Sequence, residues 1–530
     1  MSSIRLTYIR ILKRKDHNNN AGHMIMSQAS LREHPSILII GSGFGGLGMA
    51  IKLKLAGFTN LTLLEKADRV GGTWRDNSYP GCACDVQSHM YSYSFAPKHD
   101  WSKRYAPWNE IQQYILDTTE QYGIRPFCRF GVEVNSAVFD EDTGTWTVGT
   151  ANGDTYVCNH FVLASGPLHV PQVPNIKGLD TFKGKLFHSA QWDHDYDLKG
   201  KTVVSIGTGG SAIQYCPEIA PEVKQLYVMQ RSPAWVIPRD ERKYLGLEKS
   251  IFKNVPGARL LHRYRLYWTN ESRVWPIFNP VLAKGLSKLA KAFIKLQVKD
   301  PVVAEKLTPD YVLGCKRILI SNKYFPMFNR DNVELVTDGI REIKEHSVIT
   351  ADGKERQADC IILGTGFITD PRIYMKNFPV VGLGGRSLGE DWKENVECYY
   401  GTAASGYPNL WQLVGPNSGL GHNSIIFMIE AQVHYILESM KLLQKKGADY
   451  MDVKADVQTE FNDALQEQIK TTVWGTGCQS WYQDAGGRNF AIWPKSTWRF
   501  WLETFRVKAS DYRFYARKTV KDKTEAEAAA

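Results

Sequence analysis

Two short, mostly apolar runs of residues are each followed at once by glycines. The first run covers residues 36–40, and apolar positions recur at helical spacing over residues 47–56, beyond its glycines. The second run covers residues 202–206 and leads directly into a second set of glycines. Mostly apolar runs of this length are typical of strands that are buried on both faces of a parallel sheet. The pattern therefore predicts an α/β protein in which a strand–turn–helix–strand unit is used twice.

The glycines after the first run have the spacing of a dinucleotide-binding turn: Gly41, Ser42, Gly43, Phe44, Gly45 and Gly46. The first glycine allows a tight turn, the second lets a pyrophosphate approach the backbone, and the third lets the following helix pack against the strand. A second strand, residues 61–64, ends in Glu65, which stands 24 residues after Gly41. A carboxylate at this position can accept hydrogen bonds from both hydroxyls of an adenosine ribose.

The second set of glycines has alanine in the third glycine's place: Gly207, Thr208, Gly209, Gly210, Ser211 and Ala212. Its second strand, residues 225–229, leads to Arg231 and Ser232, and Arg231 stands 24 residues after Gly207. A guanidinium here can pair bidentately with the 2′-phosphate of NADP, which a carboxylate would repel. Glu65 in the first motif therefore predicts that this motif binds FAD, and Arg231 in the second motif predicts that it binds NADPH. The alternative is that Arg231 is only a solvated charge at the end of a strand.

Two fingerprints stand outside the glycine-rich turns. One consists of Phe182, Gly184, His188, Trp192 and Asp193. The other consists of Gly72-Thr73-Trp74, Tyr79-Pro80-Gly81 and Asp85. With both fingerprints and both dinucleotide motifs, residues 36–510 resemble the type I Baeyer–Villiger monooxygenases, a family of class B flavoprotein monooxygenases. Related N-hydroxylating and flavin-containing monooxygenases are similar but usually lack the tryptophan.

The resemblance implies an FAD domain and an NADP domain, both Rossmann-like, with the NADP domain inserted in the FAD domain and carrying a helical insertion. It implies an enzyme that uses FAD, NADPH and O₂ to convert ketones to esters or lactones through a C4a-peroxyflavin anion, with sulfoxidation as a further activity. The expected substrate is a small-molecule ketone, and no metal is expected. The alternatives are a flavin-containing monooxygenase that oxygenates nitrogen or sulfur and, from another class, a non-catalytic NADP-sensing protein.

The resemblance also assigns residues to the chemistry. The oxygen adduct must stay anionic to attack a ketone, so a fixed cation is required, and by resemblance this cation is Arg317, held in place by Asp85. Lys316 would join Arg231 at the 2′-phosphate, and Trp481 would lie in a loop that folds over the nicotinamide. The alternatives are a solvated basic turn for the Lys316-Arg317 pair and a packing anchor for Trp481. Further FAD contacts are implied for Thr73, Trp74, Asp85, Tyr91 and Asn417.

His188 has two interpretations. A histidine within a fingerprint suggests a general-base role. In the family that the chain resembles, this histidine supports the hinge between the two domains. The sequence leaves both interpretations open.

The order of the motifs predicts a discontinuous FAD domain that encloses the NADP domain. The predicted boundaries are 36–180 and 340–510 for the FAD domain, 181–339 for the NADP domain, 240–310 for its helical insert, and 511–530 for a charged tail. Residues 1–35 are basic and polar, and we expect them to be disordered. A mitochondrial targeting peptide is the alternative.

Composition excludes several other classes. The chain has 530 residues and 43% apolar content, which is enough for two or three packed units with large cores. A net charge of +10 over this length favours an anionic ligand but does not argue for nucleic acid. No run approaches the roughly 18 apolar residues of a membrane span. Nine cysteines without a close redox pair predict reduced thiols in a cytoplasmic protein and argue against a disulfide reductase.

One part of the insert has the pattern of an amphipathic helix. Its lysines recur at helical spacing, and they are Lys284, Lys288, Lys291 and Lys295. Its apolar residues are expected opposite the lysines, and they are Leu282, Leu286, Leu289, Phe293 and Leu296. The pattern predicts a solvated face over a buried one. The alternative is a peripheral membrane contact, because ketone substrates are often lipophilic.

Overall fold

The computed structural model describes residues 34–517 except Gln479 and Ala485. Residues 1–33 of the predicted N-terminal extension and residues 518–530 of the predicted tail lie outside the described residues.

Strands are numbered here in chain order. They are β1 (Ile37–Ile40), β2 (Leu61–Glu65), β3 (Cys128–Phe130), β4 (Val134–Asp140), β5 (Thr145–Thr150), β6 (Thr155–Cys158), β7 (His160–Leu163), β8 (Lys185–His188), β9 (Thr202–Ile206), β10 (Gln225–Met229), β11 (Val236–Ile237), β12 (Leu319–Ile320), β13 (Val333–Val336), β14 (Ile340–Lys344), β15 (Ser347–Thr350), β16 (Glu355–Gln357), β17 (Cys360–Leu363), β18 (Val380–Val381), β19 (Leu410–Gln412), β20 (Tyr450–Val453) and β21 (Tyr512–Tyr515).

Helices are numbered in the same way. They are α1 (Phe44–Leu55), α2 (Thr73–Asp76), α3 (Trp108–Gln121), α4 (Ala212–Ile219), α5 (Gly246–Asn254), α6 (Ala258–Glu271), α7 (Val274–Phe278), α8 (Pro280–Gln297), α9 (Pro301–Lys306), α10 (Tyr324–Met327), α11 (Pro371–Tyr374), α12 (Leu388–Asp391), α13 (Ile425–Lys446), α14 (Ala455–Lys470) and α15 (Thr497–Thr504). Short 3₁₀ turns cover Arg125–Phe127, Leu179–Thr181, Ser189–Gln191, Leu383–Gly385, Val473–Thr476 and Ala509–Asp511.

The first parallel sheet has the strand order β19-β7-β1-β2-β3. Its central side chains Ile39, Leu63 and Val162 are completely buried, as expected for strands that are covered on both faces. Helix α1 follows β1 directly and packs against α13. The predicted strands at residues 36–40 and 61–64 are confirmed.

The second parallel sheet has the order β13-β10-β9-β17-β8. All its strands lie in the chain between β7 and β19 of the first sheet. The second unit is therefore inserted in the first, and the predicted α/β fold with two Rossmann-like units is confirmed.

Two predicted boundaries are wrong. The second unit does not end at residue 339, because β17 pairs with β8 and β9 and extends the second sheet to Leu363. The charged tail does not begin at residue 511, because β21 pairs antiparallel with β20 and buries Tyr512. Both errors have one cause, since these strands find partners far away in the chain that no local pattern reveals.

Helices α5 to α9 form the predicted insert, and α8 corrects the prediction for its apolar residues. Its buried side chains are Ala283, Ser287, Ala290 and Ile294. The four lysines are exposed, as predicted. Leu282, Leu289 and Leu296 were expected to be buried, yet they are exposed, whereas Leu286 and Phe293 are half-buried.

None of the helices in the described ranges combines the length and the apolar content that a membrane crossing requires.

Candidate active site

The first glycine-rich turn joins β1 to α1 and forms an open cradle. Gly41 has φ +92°, and a Cβ there would meet the carbonyl oxygen of Ala164 at 2.6 Å. A Cβ on Gly46 would lie 1.8 Å from the Gly41 carbonyl oxygen, so only glycine lets α1 start this close to the strand. A Cβ on Gly43 would meet nothing nearer than 3.7 Å. The backbone at Gly43 is therefore accessible to a phosphate.

Glu65 stands at the end of β2 and faces this turn. Its Oε2 accepts hydrogen bonds from the backbone N and the Oγ of Ser42, at 3.0 and 2.6 Å. Its Oε1 accepts a bond from the backbone N of Ala67 and pairs with Arg75, both at 3.0 Å. Burial alone would raise the pKa of Glu65, but these bonds and the charge of Arg75 lower it. Glu65 is therefore a fixed carboxylate, which is the acceptor that ribose hydroxyls require.

Aromatic side chains gather beside the first turn. Phe44 contacts Tyr91 edge-on, with ring centroids 5.3 Å apart. The Nε1 of Trp74 donates a hydrogen bond to the hydroxyl of Tyr91 at 3.1 Å. Thr73 begins α2 next to Trp74 and is exposed. The structure thus brings these four predicted FAD residues to one place.

The second glycine-rich turn joins β9 to α4. Gly207 has φ +108°, and a Cβ there would meet the carbonyl oxygen of Gly364 at 2.4 Å. A Cβ on Gly209 would meet nothing within 4 Å, so the backbone at this residue is open to a ligand. Ala212 begins the helix in the third position, directly after Ser211. The Oγ1 of Thr208 donates a hydrogen bond to the carbonyl oxygen of Ser232 at 3.3 Å, which fixes the turn against the end of β10.

Two basic side chains lie on neighbouring segments near this turn. Arg231 is exposed at the end of β10 and forms no ion pair within the described part of the chain. The segment after it pairs through β11 with β12, which directly follows Lys316 and Arg317. Lys316 lies over the ring of Tyr311 at 4.6 Å. An anion at the second turn would therefore find cations on both segments.

Asp85 and Arg317 form an ion pair between the two units. Nη2 of Arg317 donates to Oδ2 of Asp85. The side chain of Arg317 keeps 41% of its surface exposed, and that of Asp85 keeps 30%. Burial alone would raise the pKa of Asp85, but the charge of Arg317 outweighs it and lowers that pKa. The charge of Asp85 in turn raises the pKa of Arg317. The pair is therefore ionised and accessible.

Two residues beside this pair were missed by sequence reasoning. The guanidinium of Arg239 donates to the carbonyl oxygen of Cys84 at 3.2 Å, and its charge helps to lower the pKa of Asp85. Tyr482 is almost completely buried, and burial raises its pKa to about 12 while the charge of Arg317 opposes this shift. Only the fold could reveal them, because both come from loops that lie far from Asp85 in the chain.

The two fingerprints contact each other through helix α4. Trp192 packs on Tyr215 with ring centroids 5.4 Å apart, and Tyr215 packs on Tyr79 at 6.1 Å. The hydroxyl of Tyr79 donates to Oε1 of Gln214 at 3.0 Å. A Cβ on Gly81 would lie 2.9 Å from the backbone oxygen of Gln214. The turn in the first unit is therefore shaped to fit a helix of the second.

The other fingerprint residues hold β8 in place. A Cβ on Gly184 would lie 2.5 Å from the ring of Phe182 and 2.6 Å from the carbonyl oxygen of Asp359, so no larger residue fits there. Asp193 forms an ion pair with Lys185. These residues support the strand that ends in His188.

His188 is bound to the linkers between the two units. Residues 165–173 and 364–370 run side by side, with Phe367 bridged to Pro171. Nδ1 of His188 accepts a hydrogen bond from the backbone N of Ala190 at 3.1 Å. Its Nε2 therefore carries the proton and donates to the carbonyl oxygen of Gly366 at 3.0 Å. Burial lowers the pKa of His188, and the bond to Gly366 only partly offsets this, so the ring is neutral with both nitrogens engaged.

Trp481 lies in a loop that a disulfide ties to the Arg317 segment. Its side chain is 44% exposed, and its ring packs at a tilt against that of Tyr482, with ring centroids 4.4 Å apart. Cys478 is bonded to Cys315, with Cα atoms 6.3 Å apart. The prediction that all cysteines are reduced is therefore wrong. The other seven are free and buried: Cys82, Cys84, Cys128, Cys158, Cys216, Cys360 and Cys398.

Asn417 lies in the segment that precedes α13. It has φ +54°, and neighbouring Val414 has φ +58°, a conformation that is strained for a β-branched residue. The side-chain amide of Asn417 donates to the carbonyl oxygens of Asn489 and Ile492, at 2.9 and 3.1 Å. Its buried Oδ1 has no hydrogen-bond partner among the described residues. An unpaired buried oxygen can accept a hydrogen bond from a ligand or from a water.

Comparison with known proteins places these features in a family. A family model described as FMO-like, flavin-binding monooxygenase-like, matches residues 35–263. A Baeyer-Villiger monooxygenase of Streptomyces coelicolor is 44% identical over 487 residues, which cover 91% of this chain and 93% of the relative. A Baeyer-Villiger monooxygenase of Pseudomonas aeruginosa is 42% identical over 500 residues, which cover 94% of each chain. The chain belongs to the Baeyer–Villiger monooxygenase family.

Solved structures agree with this family. The chain is similar to OTEMO in its complex with FAD and NADP, with a TM-score of 0.83, 26% identity, and coverage of 91% of this chain and 99% of that chain. The present chain is therefore an FAD- and NADPH-dependent oxidoreductase that inserts one oxygen atom from O₂. The predicted family, cofactors and reaction class are confirmed.

Proposed function

We propose that this Baeyer–Villiger monooxygenase oxidises small-molecule ketones to esters or lactones at the Asp85–Arg317 pair. The observation that carries the proposal is the contact of these two side chains, which come from different units and stay accessible. Nη2 is the only nitrogen of Arg317 that donates to a side chain or backbone oxygen within the described residues. The guanidinium therefore keeps donors for a reacting oxygen.

The cofactor and the chain have separate tasks. When bound, reduced FAD supplies the activation of O₂. Arg317 stabilises the negative charge that develops on oxygen as it adds to the ketone carbonyl, and its raised pKa keeps it protonated throughout. Asp85 orients the guanidinium and balances its charge. Removing a preorganised oxyanion stabiliser of this kind costs about 10²–10³ in rate.

We assign FAD to the first unit. Its pyrophosphate would meet the open backbone around Gly43, and its ribose would bind Glu65 in place of the hydroxyl of Ser42. The other proposed FAD residues are Gly41, Phe44, Gly46, Thr73, Trp74, Asp85, Tyr91 and Asn417.

We assign NADPH to the second unit, which extends from β8 to β17. Its pyrophosphate would bind at Gly209, and its 2′-phosphate between Arg231 and Lys316. The loop with Trp481 would cover the nicotinamide and exclude water. The other proposed NADP residues are Gly207, Thr208, Ser211, Ala212 and Ser232.

We propose that His188 positions the two units and transfers no proton. A general base needs a free nitrogen, and both nitrogens of His188 are engaged by backbone groups. His188→Gln keeps a donor for Gly366, so ester formation should retain its wild-type pH profile. Loss of a basic limb from that profile would instead identify His188 as the base.

A competition assay tests the reaction type. The purified FAD-loaded enzyme is given NADPH, O₂, a ketone and an alkyl amine together, with catalase to remove leaked peroxide. We expect ester or lactone from the ketone. Hydroxylamine as the sole product would overturn the proposal, because it is the product of a nitrogen-oxygenating enzyme. A panel of cyclic, aryl, long-chain and steroid ketones then defines the substrate class.

A further inference from the structure

Helix α8 presents an exposed face that neither the fold nor the active site uses. Its buried face, formed by residues such as Ala283 and Ala290, packs on β11 and α10 of the second unit and on the 3₁₀ turn Val473–Thr476. The opposite face carries Val281, Leu282, Leu289 and Leu296, which are exposed by 79, 45, 68 and 82%. The three leucines are spaced seven residues apart, so they form one row along the helix.

A row of lysines runs along the other flank of the exposed surface, roughly 130° around the helix from the leucines. Lys284, Lys288, Lys291 and Lys295 are all exposed and form no ion pair within the described residues. Helix α8 contains no acidic residue. Lysines placed around a solvated helix are common, but here they share the exposed surface with a row of branched aliphatic side chains that stays open to water. An exposed apolar strip of this kind indicates an interaction surface.

The segment from α5 to the end of α8 is strongly basic. Residues 246–299 contain eleven basic and two acidic residues, and both acids, Glu248 and Glu271, are engaged internally. This segment thus has a net charge of +9, and the predicted insert as a whole, residues 240–310, has a net charge of +7. Short helix α7, which packs against α8, adds a tryptophan, Trp275, that is 68% exposed.

We propose that α8 docks on the surface of an anionic phospholipid membrane. In this arrangement the leucine row enters the boundary between headgroups and acyl chains, while the lysine ammonium groups reach the lipid phosphates along their flexible stems. Trp275 has the residue type that favours this boundary. Charge complementarity selects this occupant. A second copy of the chain would bring another lysine row to the contact, without an acid in the helix to neutralise it.

The side of α8 that faces away from the membrane contacts the segment that leads to Arg317. The hydroxyl of Ser287 accepts a hydrogen bond from the backbone N of Leu313 at 3.1 Å, four residues before Arg317. A helix that rests on a membrane would therefore hold the segment of the proposed catalytic arginine near the place where lipophilic ketones collect. The docking proposal itself does not depend on that catalytic role.

Vesicle flotation of the full-length, FAD-loaded protein tests the proposal. We expect flotation at low salt with vesicles of phosphatidylcholine and phosphatidylglycerol in equal parts, and none with phosphatidylcholine alone. Added salt should release the protein, because exposed charges are screened. The variants Lys288→Glu/Lys291→Glu and Leu289→Ser/Leu296→Ser should each weaken binding by about tenfold or more. Bound flavin absorbance and melting temperature, neither of which needs a ketone, show that the variants are folded.

Matched controls carry the same changes elsewhere on the surface. Lys199→Glu/Lys224→Glu alters exposed lysines outside the insert, and Leu55→Ser removes a leucine that is 61% exposed on α1. Both should float like the wild type. No flotation with anionic vesicles, or equal loss in the controls, would overturn the proposal. A dimer in light scattering that Leu289→Ser/Leu296→Ser dissolves would also overturn it, since the face would then bind a second copy.

Discussion

At the scale of single residues, Glu65 and Arg231 occupy the same position in two copies of one motif and have opposite charge. The interval of 24 residues from the first glycine is the same in both, because strand, helix and strand have a fixed geometry in this unit. The two side chains also differ in their contacts. Glu65 is held by Ser42 and Arg75, whereas Arg231 has no ion-pair partner among the described residues.

Arg231→Ala should change the cofactor preference. Loss of a charged bond to the 2′-phosphate should raise the KM for NADPH by about tenfold to a hundredfold. The KM for NADH should stay nearly constant, because NADH lacks that phosphate. Steady-state kinetics with both cofactors measures the ratio, with Lys199→Ala as the control for an exposed cation. An unchanged ratio would identify Arg231 as a solvated charge.

Local residue patterns single out the glycines, Glu65, Arg231 and the two fingerprints as candidate site residues. They were insufficient for Arg239, Gln214 and Tyr482, because ordinary residues in loops or a helix become part of a site only through contacts made in three dimensions. The orphaned Oδ1 of Asn417 is equally invisible in a sequence.

At the scale of elements, β20 contains a buried carboxylate that couples stability to pH. Asp452 is 6% exposed and accepts hydrogen bonds from the backbone N of Gly406 at 2.9 and 3.1 Å. Burial raises its pKa to about 7. The unfolded chain releases this proton near pH 4. Between these values the folded state keeps a proton that the unfolded state has lost, so stability falls as pH rises from about 4 to about 7.

Asp452→Asn should remove this dependence and leave the holoenzyme more stable than the wild type at pH 7. Thermal unfolding of both proteins with excess FAD, at several pH values, checks this expectation. The difference between the melting temperatures of the two proteins should grow as the pH rises. Melting temperatures that stay parallel from acid to neutral pH would contradict it.

The disulfide between Cys315 and Cys478 joins the segment of Arg317 to the loop of Trp481. The sequence could not predict it, since the two residues are 163 positions apart. We expect reduction by a small thiol to loosen this loop. The KM for NADPH should rise, and more of the consumed NADPH should appear as hydrogen peroxide instead of ester. In Cys478→Ser the thiol should have no further effect. If the thiol changes both proteins equally, the disulfide is not the cause.

Strands were predicted correctly where a mostly apolar run identifies them locally. Boundaries were predicted wrongly where a strand pairs with strands that are distant in the chain. Strands β1, β2, β9 and β10 follow from such runs. The unit boundary near β17 depends on pairing with β8, and no local pattern contains that information. In α8 the helix was predicted, but its buried side is made by small residues such as Ala283 and Ser287, so the larger leucines were assigned to the wrong face.

At the scale of the whole molecule, the proposed catalytic pair exists only when the two units are packed together. Asp85 belongs to the first unit and Arg317 to the second. The packing of Trp192, Tyr215 and Tyr79 and the paired linkers around Gly366 set the relation between the units. The sequence named both residues of the proposed pair, and the fold shows how residues so far apart in the chain come into contact.

The most direct measurement compares ester formation by Arg317→Ala and wild type at saturating NADPH and O₂. Arg341→Ala, which removes an exposed arginine on β14, is the matched control. Flavin absorbance and NADP titration first establish that each variant binds both cofactors. We predict that Arg317→Ala loses about 10²–10³ in the rate of ester formation, while Arg341→Ala keeps the wild-type rate. Ester formation at the wild-type rate by an Arg317→Ala enzyme with both cofactors bound would contradict the account.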